Sequence, residues 1–347
     1  MSLPRSLGRP LGGLAAILLF SLPAQAGPLD ELKALSQFPN ADLARLKRGE
    51  ILTARGKEGD FSRGISLESC YFVRAPMAAV GKRLLHWNPT EHHARDVRLY
   101  REYGWPAGGD AFQTLRLTST IAKDRWILEH TFAVADGEAP GDLHLTTAEV
   151  ELIRKEVPRK NAASEQAREA RANDVWGEIL RRRSDALARG GIGAVPPYGT
   201  DAAISPGSEF RGLLSLHAGA AKHFRPILSA KPLAAGASAT ADETVGYWET
   251  TEVRGHNTLE LGIFAARKSA ESWQLVDCVY YPSDTYFMAL DLFQLWPLED
   301  GTLVWQVGFV SAPFRSYLGG VDRFVAGKQM TQETLATIKT FQADFAK

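Results

Sequence analysis

Trp273-Gln-Leu-Val-Asp-Cys-Val-Tyr-Tyr281, Tyr286-Phe-Met-Ala-Leu-Asp-Leu-Phe-Gln-Leu-Trp296 and Leu303-Val-Trp-Gln-Val-Gly-Phe-Val310 stand in succession with only turn-length breaks between them. Each run is dense in β-branched and aromatic residues, which fit a pleated, half-buried surface. Two similar runs, 247–253 and 259–265, precede them. Strands that follow one another without an intervening helix pair antiparallel, because a parallel pair needs a long crossover. The five runs therefore read as an antiparallel meander. After them the period changes. In 314–346 the apolar positions Leu318, Val321, Phe324, Val325, Leu335, Ile338, Phe341 and Phe345 recur near 3.6-residue spacing, which predicts a long closing helix.

Working outward, Ile65-Ser-Leu-Glu-Ser-Cys-Tyr-Phe-Val73 reads as a strand that ends at Ala75-Pro76 and runs into a helix over 76–86, whose first turn tolerates the proline. The residues 112–118 and 126–134 read as further strands, followed by a turn at Gly137 to Gly141. From 146 to 189 the chain is rich in helix formers and mixed charge, with Trp176, Ile179, Leu180 and Leu187 on one stripe. Gly190-Gly191 ends that helix, and Pro196-Pro197, Pro206-Gly207 and the Ala/Gly/Ser run at 229–241 mark loops around a short helix near 208–223. Leu29, Leu32 and Leu35 give a helical lead-in over 27–48, interrupted at Pro39. The expected layout is this lead-in and a single α+β domain, 49–347, with a helical insertion at about 146–240. No repeat of fixed period is present.

The chain has 347 residues, 40 Lys and Arg against 40 Asp and Glu, and 45% hydrophobic residues, enough for a large core. A formal net charge of zero, with no basic patch, excludes an electrostatic nucleic-acid binder. Residues 1–26 read as an export signal. Arg5 and Arg9 form the basic region, Leu11 to Leu22 the short apolar core, and Ala24-Gln25-Ala26 the cleavage site. Loss of those two arginines leaves 38 basic against 40 acidic side chains. The expected product is a soluble periplasmic or secreted protein cut after Ala26, with no permanent membrane anchor, because no later stretch approaches 18 uninterrupted apolar residues.

The strand ending in Val73-Arg-Ala-Pro76 before a helix, the meander, and the closing helix after Ser311-Ala-Pro313 resemble the START-like, helix-grip superfamily. The resemblance covers about 49–134 and 246–346 and rests on element order and two short patches. It implies a curved antiparallel sheet packed on the long C-terminal helix, with an elongated apolar cavity between them. The helical segment at about 146–240 departs from the compact form of that family.

Several chemistries find no support. Glu91-His92-His93, with His86 nearby, is the densest histidine cluster, but adjacent residues point in different directions, so solvated loop histidines are expected and no metal site. There is no Gly-x-Ser-x-Gly elbow, no Ser-x-x-Lys and no His-Glu-x-x-His. Gly190-Gly-Ile-Gly193 follows a helix, whereas a phosphate loop follows a strand and opens one. No cofactor is expected. Cys70 and Cys278, each inside a predicted strand, either form one disulfide in an oxidising compartment or stay as buried thiols.

Carboxylates among apolar strand residues, Glu68, Glu129, Asp277 and Asp291, are the candidate acids and bases. Each either faces water or lines a mixed cavity, where burial raises a carboxyl pKa towards the range useful for proton transfer. Glu68 and Asp277 are the catalytic candidates. Trp126, Tyr280, Phe287 and Trp305 are the candidate ligand-binding aromatics. The leading expectation is an exported protein that holds a hydrophobic small molecule or lipid between sheet and C-terminal helix without catalysis. A second is an exported hydrolase or cyclase-like enzyme using the carboxylates in that cavity. A third is a protein-interaction module using 146–189.

Overall fold

The computed structural model describes residues 27–56, 59–92, 97–200, 203–314 and 321–346. The expected export signal over 1–26, His93 and Leu318 lie outside them. The strands are β1 (Leu52–Arg55), β2 (Gly64–Val73), β3 (Val97–Gly104), β4 (Glu243–Val253), β5 (His256–Lys268), β6 (Trp273–Pro282), β7 (Met288–Leu298) and β8 (Gly301–Ser311). They pair antiparallel in one curved, unclosed sheet of order β1-β2-β8-β7-β6-β5-β4-β3. The meander runs from β4 to β8, β3 pairs beside β4 across the long intervening segment, and β8 closes on β2. Arg254 and Gly255, at φ 52° and 86°, form the two-residue turn between β4 and β5, and that turn fixes Val253 opposite His256.

The helices are α1 (Pro28–Leu35), α2 (Leu43–Lys47), α3 (Met77–Leu85), α4 (Ala122–Asp136), α5 (Thr147–Glu156), α6 (Glu165–Gly190), α7 (Pro206–Ser215), α8 (Ala218–His223), α9 (Arg225–Leu228) and α10 (Val321–Ala343). The fold is thus α+β, with a helical block between β3 and β4 and a long C-terminal helix. Among the described residues no helix is long and apolar enough to cross a membrane.

Strand alternation gives the sheet two unlike faces. On the first, Ile263, Cys278, Tyr280, Leu292, Trp296, Trp305 and Val307 form one core with α1 and the helical block. The stripe Trp176, Ile179, Leu180 and Leu187 of α6 is buried in that core, so it offers no apolar contact surface. On the second face, Tyr71, Tyr247, Phe264, Val279 and Phe293 pack with Met77, Val80 and Leu85 of α3 and with Ile338 and Phe341 of α10.

Two expected strands are not strands. Residues 126–134 belong to α4, whose buried positions Ile127, Leu128, Thr131, Val134 and Ala135 recur with helical spacing and whose end is set by Gly137 at φ 113°. The β-like content of Trp126, Phe132 and Val134 hid that spacing. Residues 112–118 form a turn followed by irregular backbone. The backbone of Leu117 is satisfied by the Asn173 side chain, which accepts from its N–H at 2.7 Å and donates to its C=O at 2.9 Å, so no strand partner is needed. The helical block accordingly begins at 122. The sheet edges β1 and β3 have no counterpart in the sequence reading, because neither presents a buried apolar face.

Candidate functional site

The second face of the sheet carries acids where a core would carry hydrocarbon. Glu249 of β4 stands directly opposite Glu260 of β5, and Asp277 of β6 directly opposite Asp291 of β7. Like charges so placed oppose strand pairing.

Two glycines create the room for this arrangement. A Cβ on Gly262 would lie 2.1 Å from the Tyr247 ring. Without one, the ring crosses β5 and its hydroxyl donates to Asp277 Oδ1 at 2.7 Å. Burial, reinforced by the charges of Asp277 and Glu249, pushes the Tyr247 hydroxyl well above its usual pKa, so it stays a donor at any physiological pH. A Cβ on Gly308 would meet Asp291 Oδ1 at 2.7 Å and Met330 Cε at 3.1 Å. Gln306 Nε2 donates to that same Asp291 oxygen at 2.8 Å.

Between this face and α10 lies a cavity of about 570 Å³, inside the roughly 300–1,000 Å³ usual for small-molecule sites. Its apolar lining comes from Ile65, Val279, Ala289, Val310 and Met330, and its carboxylates from Glu252, Glu260, Asp277, Asp291 and Glu333. Arg254 is the one Lys or Arg among the described lining residues. The site is amphipathic and acidic. Compared with known protein families and with curated proteins, the chain matches none. Its function has to be read from this geometry.

Of the sequence candidates, Asp277 and Asp291 line the sheet–helix cavity. Glu68 is on the first face, 1% exposed, and surrounded by donors. Gln37 gives its backbone N–H and its Nε2 at 3.0 and 2.7 Å, His217 its Nε2–H at 3.0 Å, and Trp305 its Nε1–H at 3.1 Å. His217 Nδ1 accepts from Ala220 N at 3.0 Å, which fixes the Nε2–H tautomer. Burial pushes the Glu68 carboxyl up, but the hydrogen bonds from His217 and Gln37 together outweigh it, and its pKa lies below the usual range. This carboxylate ties the lead-in and α8 to the sheet.

Tyr280 and Trp305 are fully buried in the first-face core and do not line the cavity. Trp126, now on α4, and Phe287 line a second cavity at one end of the sheet. Cys70 and Cys278 are free and buried. Their strands, β2 and β6, are separated by β8 and β7, which at about 4.8 Å per strand places them roughly 14 Å apart or more. A disulfide needs its Cα atoms within about 7 Å, so the bridge is excluded in this fold. Burial pushes both thiols up, and they behave as small hydrophobes.

Histidines near the former metal candidate do structural work. His92 is nearly buried rather than solvated: it stacks on Trp87 at 4.0 Å and accepts from Arg83 Nη2 at 3.1 Å. His86 lies between Glu102 and Glu243. Among the described residues no three His, Cys, Asp or Glu converge as a metal site would require. The sequence reading missed Tyr247 and Gly262 altogether. Their only trace is a glycine inside a strand, a recognised mark of close approach by another group.

Proposed function

We propose that this chain is an exported binding protein of START-like build, which holds a small amphiphile in the cavity between the sheet and α10 without chemical change. The observation that carries the reading is the lining itself: hydrocarbon from β2, β6, β7, β8 and α10 beside a cluster of carboxylates. Element order supports the family reading, since β2 leads into α3, the meander follows, and α10 closes over the curved sheet. Such a cavity favours an apolar body with a head that is cationic or rich in hydrogen-bond donors, because Asp277 and Asp291 accept but cannot donate when ionised. An acyl chain ending in a carboxylate is disfavoured by the same charges.

The test is a calorimetric titration of the protein with decylamine and with decanoic acid, each below the concentration at which it forms micelles. Saturable binding of the amine, at least about tenfold tighter than the acid, is expected, a difference of roughly 1.4 kcal/mol. Equal affinity for the two, or binding of neither, overturns the proposal.

A further inference from the structure

The second cavity, about 670 Å³, opens where α4, the start of β5 and the β6–β7 turn meet, and it contains groups that the binding reading does not use. At its wall Asp284 is wholly buried and receives only donors. His256 Nε2 lies 2.8 Å from Oδ1, Thr258 Oγ1 donates to Oδ1 at 3.1 Å, Ser283 Oγ donates to Oδ2 at 2.7 Å, and Thr285 Oγ1 donates to Oδ1. Burial pushes this carboxyl up, but the hydrogen bonds from His256, Thr285 and Ser283 together hold it below the usual carboxylate range. It is therefore an anion at neutral pH. An anion can only accept, so His256 carries a proton on Nε2, and in the neutral imidazole the lone pair is then on Nδ1. Nδ1 makes no hydrogen bond among the described residues.

The imidazole is also clamped. Its ring stacks on Trp126 at 4.1 Å, and Trp126 also stacks with His130 at 3.9 Å. His130 Nδ1 donates in turn to the Trp126 carbonyl at 2.8 Å. The two turns that carry the dyad hold non-glycine residues in the left-handed region, Arg254 at φ 52° and Thr285 at φ 65°, conformations that persist only where surrounding contacts impose them. An imidazole held by a buried carboxylate through one nitrogen, in a residue that lines a cavity, is the arrangement that proton-transfer catalysis needs.

We propose that this second cavity is a hydrolytic site in which His256, positioned by Asp284, is the general base that activates water against a small uncharged carboxylic ester. Nδ1 accepts a proton from water as the water oxygen bonds to the ester carbonyl carbon. The tetrahedral intermediate then collapses, the bond to the alkoxy oxygen breaks with its electron pair on that oxygen, and Nδ1–H returns the proton to it. Ester and water give acid and alcohol, with no oxidant, metal or cofactor required. Arg254 lines this cavity as well and provides the positive charge suited to the intermediate's oxyanion. Asp142 and Asp322 in the same lining disfavour anionic substrates, which excludes phosphate esters and leaves uncharged ones.

The proposal does not depend on what the sheet–helix cavity holds. Its test is turnover of p-nitrophenyl acetate and butyrate by the purified full-length chain, with circular dichroism to confirm folding of each variant. His256→Gln is expected to lower kcat at least about a hundredfold. Asp284→Asn is expected to lower kcat while KM is retained, a split that a purely structural role would not give. Arg182→Ala, on the solvent side of α6, should keep the wild-type rate. Independently of any variant, nitrogen NMR of the wild-type protein should show His256 as the Nε2–H tautomer. Ester turnover no faster than buffer, an undiminished rate in His256→Gln, or an Nδ1–H tautomer overturns the proposal. A protein that binds decylamine yet hydrolyses no ester loses this site and keeps the binding reading.

Discussion

One strand shows how differently the two faces of this sheet are used. On β6, Val276, Cys278 and Tyr280 enter the core under the helical block, while Asp277 and Val279 on the opposite side line the cavity under α10. Acids occur on both sides, but in different company. Glu68 on the first face meets donors at every turn and is sealed by Trp305. Asp277 and Asp291 on the second face sit directly across from each other beside open space. The contrast separates two uses of a carboxylate within one fold. An acid enclosed by donors fastens elements together, whereas acids facing each other at a cavity serve, on the proposed reading, what enters the cavity.

The largest expected effect lies in the first-face core. Arg183 of α6 is fully buried, gives two guanidinium bonds to Glu149 at 2.8 and 2.6 Å, and donates to the carbonyls of His144, Pro196 and Pro197. Its planar face lies 3.8 Å from the centre of the Tyr281 ring. Arg183→Ala strands a buried carboxylate and three carbonyls, so a loss of about 3–5 kcal/mol is expected in urea unfolding. Met330→Ala, on the half-buried cavity side of α10, should cost less than about 2 kcal/mol, the lower bound for a fully buried methionine. A reversal of that order would break the contrast between a packed face and an open one.

Next in size is the Glu68 fastening. Its pKa is depressed in the folded protein, so its stabilising contribution is fully present above the unfolded value of about 4.3 and is lost as pH falls from there through the folded value. Glu68→Gln removes the charge from four hydrogen bonds and should cost about 1–3 kcal/mol at pH 7. The variant's stability should also fall less steeply than wild type below pH 4.3. A variant as stable as wild type, with the same acid limb, would place Glu68 outside the fastening set.

These residues also show where sequence reading succeeds and stops. The β-branched and aromatic runs over 247–310 are enforced by burial along whole strands, and all five meander strands appear where those runs place them, with the closing helix inside the stretch that the 3.6-residue spacing marks. Trp126 to Val134 was misread because aromatic and β-branched side chains in a buried helix mimic a strand when periodicity is judged over so short a run. Asp277 does line a cavity, but the expectation that Trp305 and Tyr280 line one fails. Aromatics are the best core fillers, and nothing in a sequence tells a packed aromatic from a lining one. The His256–Asp284 pair was invisible for another reason. The two residues are 28 positions apart, in different turns, and meet only because the β4–β5 and β6–β7 turns fall at the same end of the sheet.

The smallest structural effect is expected where the largest effect on binding is. In Asp277→Asn the amide oxygen can still accept from Tyr247 at the position now held at 2.7 Å, so the ring stays across Gly262. One of the two facing like charges on β6 and β7 disappears, and relief of that repulsion should leave stability unchanged or raise it by about 0.2–1 kcal/mol. Affinity for decylamine should nonetheless fall about tenfold or more, since a charge-assisted bond worth roughly 1.5–3 kcal/mol is reduced to a neutral one. Denaturant unfolding and calorimetry on the same preparation check both halves. Lost stability with unchanged affinity would move Asp277 into the company of Glu68, as a fastener, and leave the cavity's acids without a ligand to explain them.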